Sequence, residues 1–213
     1  MYLKEVCLEN YSSIPKAIAK GATRIELCDY LSSGGTTVSK GVMHEAADYC
    51  AEKMIPLMAI IRPRSGNFVY NDSELKIMGY DLIEARNLGL DGVVFGCLTE
   101  DNWIDEDAME QLLEEAYGLQ VTFHMAFDAI PVEKQFEAIN WLADRGVQRI
   151  LTHGGNSHVP IEETLPHLKK LVDYAKDRIL ILPGGGITNE NAADIQQYLS
   201  VTELHGSKLV GEL

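Results

Sequence analysis

The chain has 213 residues, of which 46% are hydrophobic and 23% charged, so it can bury one large core and does not read as fibrous or disordered. With 32 acidic and 18 basic residues its formal charge is −14, which repels phosphate backbones and anionic lipid; in the absence of a basic patch, neither nucleic acid nor a membrane is expected as a partner. The opening MYLKEVCLEN has no basic segment followed by an apolar run, and the longest apolar stretch, MIPLMAII at 54–61, is too short to span a bilayer. Cysteines at 7, 28, 50 and 97 are too few and too far apart for a disulfide scaffold or a C-x-x-C zinc site, so reduced thiols in a cytoplasmic protein are expected.

Short apolar runs alternate with segments of helical periodicity from one end to the other. The strand candidates are residues 3–9, 23–28, 57–62, 92–96, 120–124, 149–153, 179–183 and 202–206. Gly21, Gly89 and Gly146 follow helical segments at positions suited to a left-handed C-terminal cap. Regular alternation means parallel strands joined by crossover helices, and eight such units close into a (β/α)₈ TIM barrel spanning residues 1–213 as a single domain. An open doubly wound sheet is the alternative. Only SKLVGEL follows the eighth strand, so the eighth helix is expected to be missing or reduced. That leaves an apolar seam for a neighbouring loop or a second subunit to cover, and a homodimer or higher homo-oligomer is expected.

Strand alternation then decides which side chains face the barrel axis. Val6 and Leu8 face the helices, so Glu5, Cys7 and Glu9 face inward; Ile25 and Leu27 repeat the pattern, leaving Arg24, Glu26 and Cys28 on the axis. The same parity directs Met58, Ile60 and Arg62, then Thr122 and His124, then Glu203 and His205 inward. A barrel interior is normally apolar, so charges of both signs there imply a satisfied internal network or a wet site. Glu5 and Arg24 read best as a structural ion pair at the lower end. Groups at the C-terminal strand ends read as a site, because sites on this fold are built there.

Four strand ends carry chemistry. Arg62 and Arg64 flank Pro63 and present two guanidiniums, which form either an anion clamp or partners for acidic barrel residues. His124 ends the fifth strand with Asp128 close behind, near enough to orient the ring or share a proton. Gly184, Gly185 and Gly186 after the seventh strand, with Gly206 and Ser207 after the eighth, occupy the corner where this fold usually binds phosphate, and Asn189 is a candidate cap for the next helix. Cys7 and Cys28 lie on adjacent strands in matching register, where two soft thiolates reach one monovalent copper ion. Buried cysteines are most often small hydrophobes, and spacing alone favours that reading for both. Cys97 is a possible third member, and Cys50 reads as packing.

The segments GATRIELCDYLSSGGTTVS, IIRPRSGNFVYND, GVVFGCL, VTFHMAFD, RILTHGG and LPGGGI closely resemble those of the CutC family of copper homeostasis proteins, over essentially the whole chain. The resemblance implies a cytoplasmic barrel, usually oligomeric, with a role in copper tolerance or trafficking and with Cys7 and Cys28 as candidate Cu(I) ligands. Glu26, Arg62, Arg64, His124 and Asp128 match the family's motif residues. Three positions depart from the family pattern: Met125 stands where arginine is common, His153 where serine is usual, and Val38 in place of proline. The competing reading is an isomerase, lyase or hydrolase acting on a small anionic or phosphorylated metabolite, with Arg62, Arg64 and the glycine loops as anchor and His124, Asp128 and Glu26 as proton carriers. A barrel that has lost its activity and serves as an interaction scaffold is a third.

Overall fold

The computed structural model describes residues 2–213 and contains eight parallel strands: β1 Leu3–Glu9, β2 Arg24–Cys28, β3 Leu57–Ile60, β4 Gly92–Phe95, β5 Gln120–Phe123, β6 Arg149–Thr152, β7 Leu180–Pro183 and β8 Glu203–His205. Seven α-helices alternate with them: α1 Ile14–Ala19, α2 Lys40–Lys53, α3 Asp72–Asn87, α4 Glu106–Glu115, α5 Gln135–Asp144, α6 Ile161–Ala175 and α7 Ala192–Leu199. The ladder runs β7-β6-β5-β4-β3-β2-β1-β8, which makes a nearly closed (β/α)₈ barrel, and beyond its two end strands a parallel bridge joins Thr188 to Lys208. Among the described residues no helix is long and apolar enough to cross a membrane.

Local chemistry fixes the crossovers. Asn71 and Glu74 form a reciprocal capping box at the start of α3, and the Asp105 carboxylate accepts the Ala108 amide at the start of α4. Gly21, Gly89 and Gly146 adopt φ of 95°, 72° and 74°, the left-handed backbone that ends the preceding helices.

Apolar side chains divide into two separate cores, as strand alternation requires. The larger lies between sheet and helices and includes Val6, Leu8, Ile25 and Leu27. The smaller lies on the barrel axis and consists of Cys7, Cys28, Met58, Ile60 and Val94, with Leu31 packed over it. Cys50 and Cys97 belong to the outer core, so Cys97 does not join the axial thiols.

Beneath the axial core is a layer of charge. Arg24 Nε donates to Glu5 Oε2 and its NH2 to Glu203 Oε2, while Arg149 Nε donates to Glu203 Oε2 at 3.1 Å. His205 Nδ1 stands 2.8 Å from Glu5 Oε1. Burial alone would raise the Glu5 pKa, but the His205 hydrogen bond and the Arg24 charge outweigh it and hold the carboxyl at about 2.

No helix follows β8 among the described residues, and the seam this leaves is covered by the chain itself. Leu209 is fully buried, Val210 and Leu213 pack on the outer core, and Lys20 at the end of α1 donates to the Glu212 carbonyl at 2.8 Å.

Two predictions follow from this packing. Leu209→Ala costs about 2–5 kcal/mol in urea unfolding, the range for a buried leucine; a loss within error of zero would mean that residues 207–213 do not seal the barrel. Glu5, with its pKa depressed from 4.5 to about 2, contributes stability that is complete above pH 4.5 and lost as the pH falls toward 2. Glu5→Gln should therefore cost about 3–5 kcal/mol at neutral pH, with the gap to wild type closing over that acid range. A gap that persists at pH 2 would assign the loss to packing instead of charge.

Candidate functional site: the barrel mouth

Inward positions on β1, β2 and β8 converge just above the charged layer. Register pairs Cys7 with Glu26 and Glu5 with His205, and the diagonal Cys28 brings its Sγ to 3.8 Å from that of Cys7. The Cys7 thiol donates to Glu26 Oε1 at 3.2 Å, and His205 Nδ1 lies 3.9 Å from Glu26 Oε2. Donor atoms of Cys7, Glu26 and His205 all lie within 4.8 Å of one another, and all three residues are buried. The hydrogen bond with Cys28, burial and the neighbouring Glu26 push the Cys7 pKa well up, so the resting group is a thiol. Burial and the charge of Glu5 raise the Glu26 pKa.

This cluster floors a cavity of about 360 Å³ whose walls include Leu31, Ile60, Phe68, Val94, Met125 and Leu151 and whose rim carries Arg62 and His124. Arg62 is held by carbonyls: NH1 donates to Ser33 O and Gly35 O at 3.1 and 3.0 Å, and NH2 to Gly66 O at 2.8 Å. Phe68 lies between the two rim groups, with its ring centroid 5.0 Å from the Arg62 guanidinium carbon and 4.8 Å from the His124 ring centroid. His124 Nδ1 accepts the Ala126 amide at 3.3 Å. Burial, reinforced by the Arg62 charge, lowers the His124 pKa to about 3, so the ring is neutral and its proton sits on Nε2.

Three expectations fail at the loops. Asp128 does not orient His124: its carboxylate accepts the Thr152 hydroxyl and the amides of His153, Gly154 and Gly155, so it shapes the loop after β6. Arg64 is not half of an anion clamp, because its guanidinium pairs with Glu74 and donates to the carbonyls of Asn67 and Val69, with Tyr70 beneath it. In the glycine loop the carbonyls of Gly184 and Gly185 both face His153 Nδ1, at 3.3 and 3.1 Å, and the Gly184 amide donates to Thr152 O at 3.0 Å. A Cβ on Gly185 would meet that nitrogen at 2.8 Å and Met125 Cε at 3.1 Å, so the unusual residues at 125 and 153 pack on the same glycine. Gly206 donates its amide to Glu5 O, and Ser207 lines an adjoining cleft of about 230 Å³ with Lys208 and Glu212. The helix after this loop begins at Asn191, whose side chain accepts the Thr188 amide, and not at Asn189.

A larger cleft of about 530 Å³ opens at the N-terminal end of the barrel beside α6 and β7. The mouth is nonetheless the better site on chemical grounds. Of the seven buried side-chain polar atoms without a partner among the described residues, Glu26 Oε2, Arg62 Nε and His124 Nε2 all belong to residues lining the mouth cavity, and none belongs to a residue lining the larger cleft.

Residues 2–210 match the model of the CutC family. The chain belongs to the CutC family. A CutC family protein of Enterococcus faecalis is 62% identical over 98% of this chain and 100% of its own length. The human copper homeostasis protein cutC homolog is 42% identical over 97% of this chain and 73% of its own. The crystal structure of a CutC protein from Streptococcus agalactiae superposes with a TM-score of 0.95 at 47% identity, covering 98% of this chain and 100% of the other. Two residues lining the mouth cavity escaped the sequence reading. Phe68 gave no signal beyond its place among the strand-end residues, and His205 was read as inward-facing without its link to Cys7.

One prediction concerns the rim. In ¹⁵N-histidine spectra of the metal-free protein, His124 should remain the neutral Nε2–H tautomer from pH 5 to 9, because its pKa is lowered to about 3. A ring titrating near 6.5 would contradict the buried, Arg62-facing environment.

Proposed function

We propose that this CutC-family protein is a cytoplasmic copper homeostasis protein that takes up one Cu(I) ion through Cys7 and Cys28, with Glu26 and His205 completing the donor set. The observation that carries the reading is the 3.8 Å separation of the two sulfurs at a buried point that also gathers a carboxylate and an imidazole. Two metal–sulfur bonds of about 2.3 Å span at most about 4.6 Å, so one ion reaches both sulfurs in a bent arrangement that leaves room for a further ligand. Soft thiolates favour Cu(I) over harder cations. The raised Cys7 pKa means that uptake displaces the proton from Cys7. All four cysteines are free and buried, which suits a reducing compartment.

Anaerobic titration against a Cu(I) chelator tests the reading. Wild type is expected to take up one ion per chain, Cys7→Ser/Cys28→Ser to take up none, and Cys50→Ser/Cys97→Ser to behave as wild type. His205→Gln should weaken binding by about 10–100-fold, as loss of a supporting group around a metal commonly does. Unchanged uptake by the Cys7/Cys28 double variant would refute the proposal.

A further inference from the structure

The copper reading leaves the rim of the cavity without a task. Arg62 and His124 are 4% and 5% exposed, yet each keeps one buried nitrogen unpaired, and Glu26 on the floor keeps one unpaired oxygen. A buried polar group left unsatisfied costs about 1–3 kcal/mol. Three such groups around one cavity indicate that a ligand supplies the missing partners.

The character of each atom defines that ligand. His124 Nδ1 already accepts the Ala126 amide, so Nε2 offers a proton. Arg62 has only Nε–H left to offer, because its terminal nitrogens are taken by carbonyls, and the Tyr70 hydroxyl, also without a partner, lies beside the same guanidinium. The other two buried arginines, Arg24 and Arg149, are each paired with a carboxylate, whereas among the described residues no ion pair is formed by Arg62. Two N–H donors and one uncompensated positive charge match the two oxygens and single charge of a carboxylate. A phosphate group, with more oxygens and more charge, would need more donors than these two N–H groups supply. Apolar walls at Leu31, Ile60, Phe68, Val94 and Leu151 call for a hydrocarbon body between the two polar ends. Glu26 Oε2 then accepts from a donor at the far end.

We propose that the barrel mouth binds a small carboxylic acid of at most about twelve non-hydrogen atoms, a size set by allotting about 30 Å³ to each in the cavity of about 360 Å³. Its carboxylate is held by Arg62 and His124, and its hydroxyl or amino group donates to Glu26. The neutral state of His124 suits this role, since the ring keeps one donor and one acceptor across the physiological range. Glu26 is shared with the proposed copper donor set, whereas Arg62 and His124 are not, so the carboxylate contacts are tested apart from copper in the metal-free protein.

Calorimetry on the metal-free protein in the presence of a chelator tests the inference, with 4-hydroxybenzoate as probe, 4-hydroxybenzamide as its neutral counterpart and inorganic phosphate as the rival anion. The acid is expected to bind, and the amide and phosphate each to bind at least tenfold more weakly. Arg62→Gln should weaken the acid at least tenfold, the effect of losing one charge-assisted hydrogen bond. Because that variant can fail to fold, a second readout uses wild type alone: the His124 Nε2 resonance should move on saturation with the acid and stay in place with the amide. Equal affinity for acid and amide, tighter binding of phosphate, no heat with the acid at millimolar concentration, or an unmoved His124 resonance would each overturn the inference. No copper is present in these measurements, so failure of Cu(I) uptake leaves their outcome unaffected.

Discussion

Charge buried on the barrel axis is the constraint on which the rest of the structure depends. Taking Glu5, Arg24, Glu203 and Arg149 out of water costs several kcal/mol per ion, and only their mutual pairing in good geometry offsets it. That pairing fixes the stagger of β8 against β1 and of β1 against β2. Once the stagger is fixed, alternation leaves no freedom in the next layer: Cys7, Glu26 and His205 must face one another, and Cys28 must sit diagonally above. The candidate metal site is thus a consequence of the layer beneath it.

The layers also divide the electrostatics. Glu5 is held ionised below, where Arg24 and His205 reach it, while burial and the charge of Glu5 keep the Glu26 pKa raised one layer up. Burial opposes protonation of His205, but the two glutamates outweigh it and raise its pKa. A thiol between these groups keeps its proton until a cation arrives to stabilise the thiolate. At the rim the balance reverses: the arginine charge has no protein counter-ion and the imidazole is neutral, so the upper half of the cavity is donor-rich above an acceptor-rich floor. A cation below and an anion above are chemically compatible occupants of one mouth.

Much of this was legible in the sequence because a period of two carries through a strand. The inward positions of Glu5, Cys7, Glu26, Cys28, Met58, Ile60 and His124 follow from their apolar neighbours, and the helix stops at Gly21, Gly89 and Gly146 from the demand for positive φ. The loops were not legible for the converse reason. Beyond the strand end no period fixes side-chain direction, so Asp128, four residues after His124, turns to the amides of the neighbouring loop, and Arg64, two after Arg62, turns to Glu74. The packing of the glycine loop was hidden too, because nothing local to Gly185 announces that His153 and Met125 meet it. The pairing of Glu203 with both Arg24 and Arg149 depends on barrel stagger, which a linear pattern does not encode.

The central claim is that strand register brings two sulfurs and at least one nitrogen or oxygen donor to a single buried point able to hold one Cu(I). X-ray absorption on the Cu(I)-loaded protein tests it most directly. The account predicts a mononuclear centre with two sulfur scatterers and at least one light scatterer from Glu26 or His205. A copper–copper vector, or a first shell without sulfur, would contradict it.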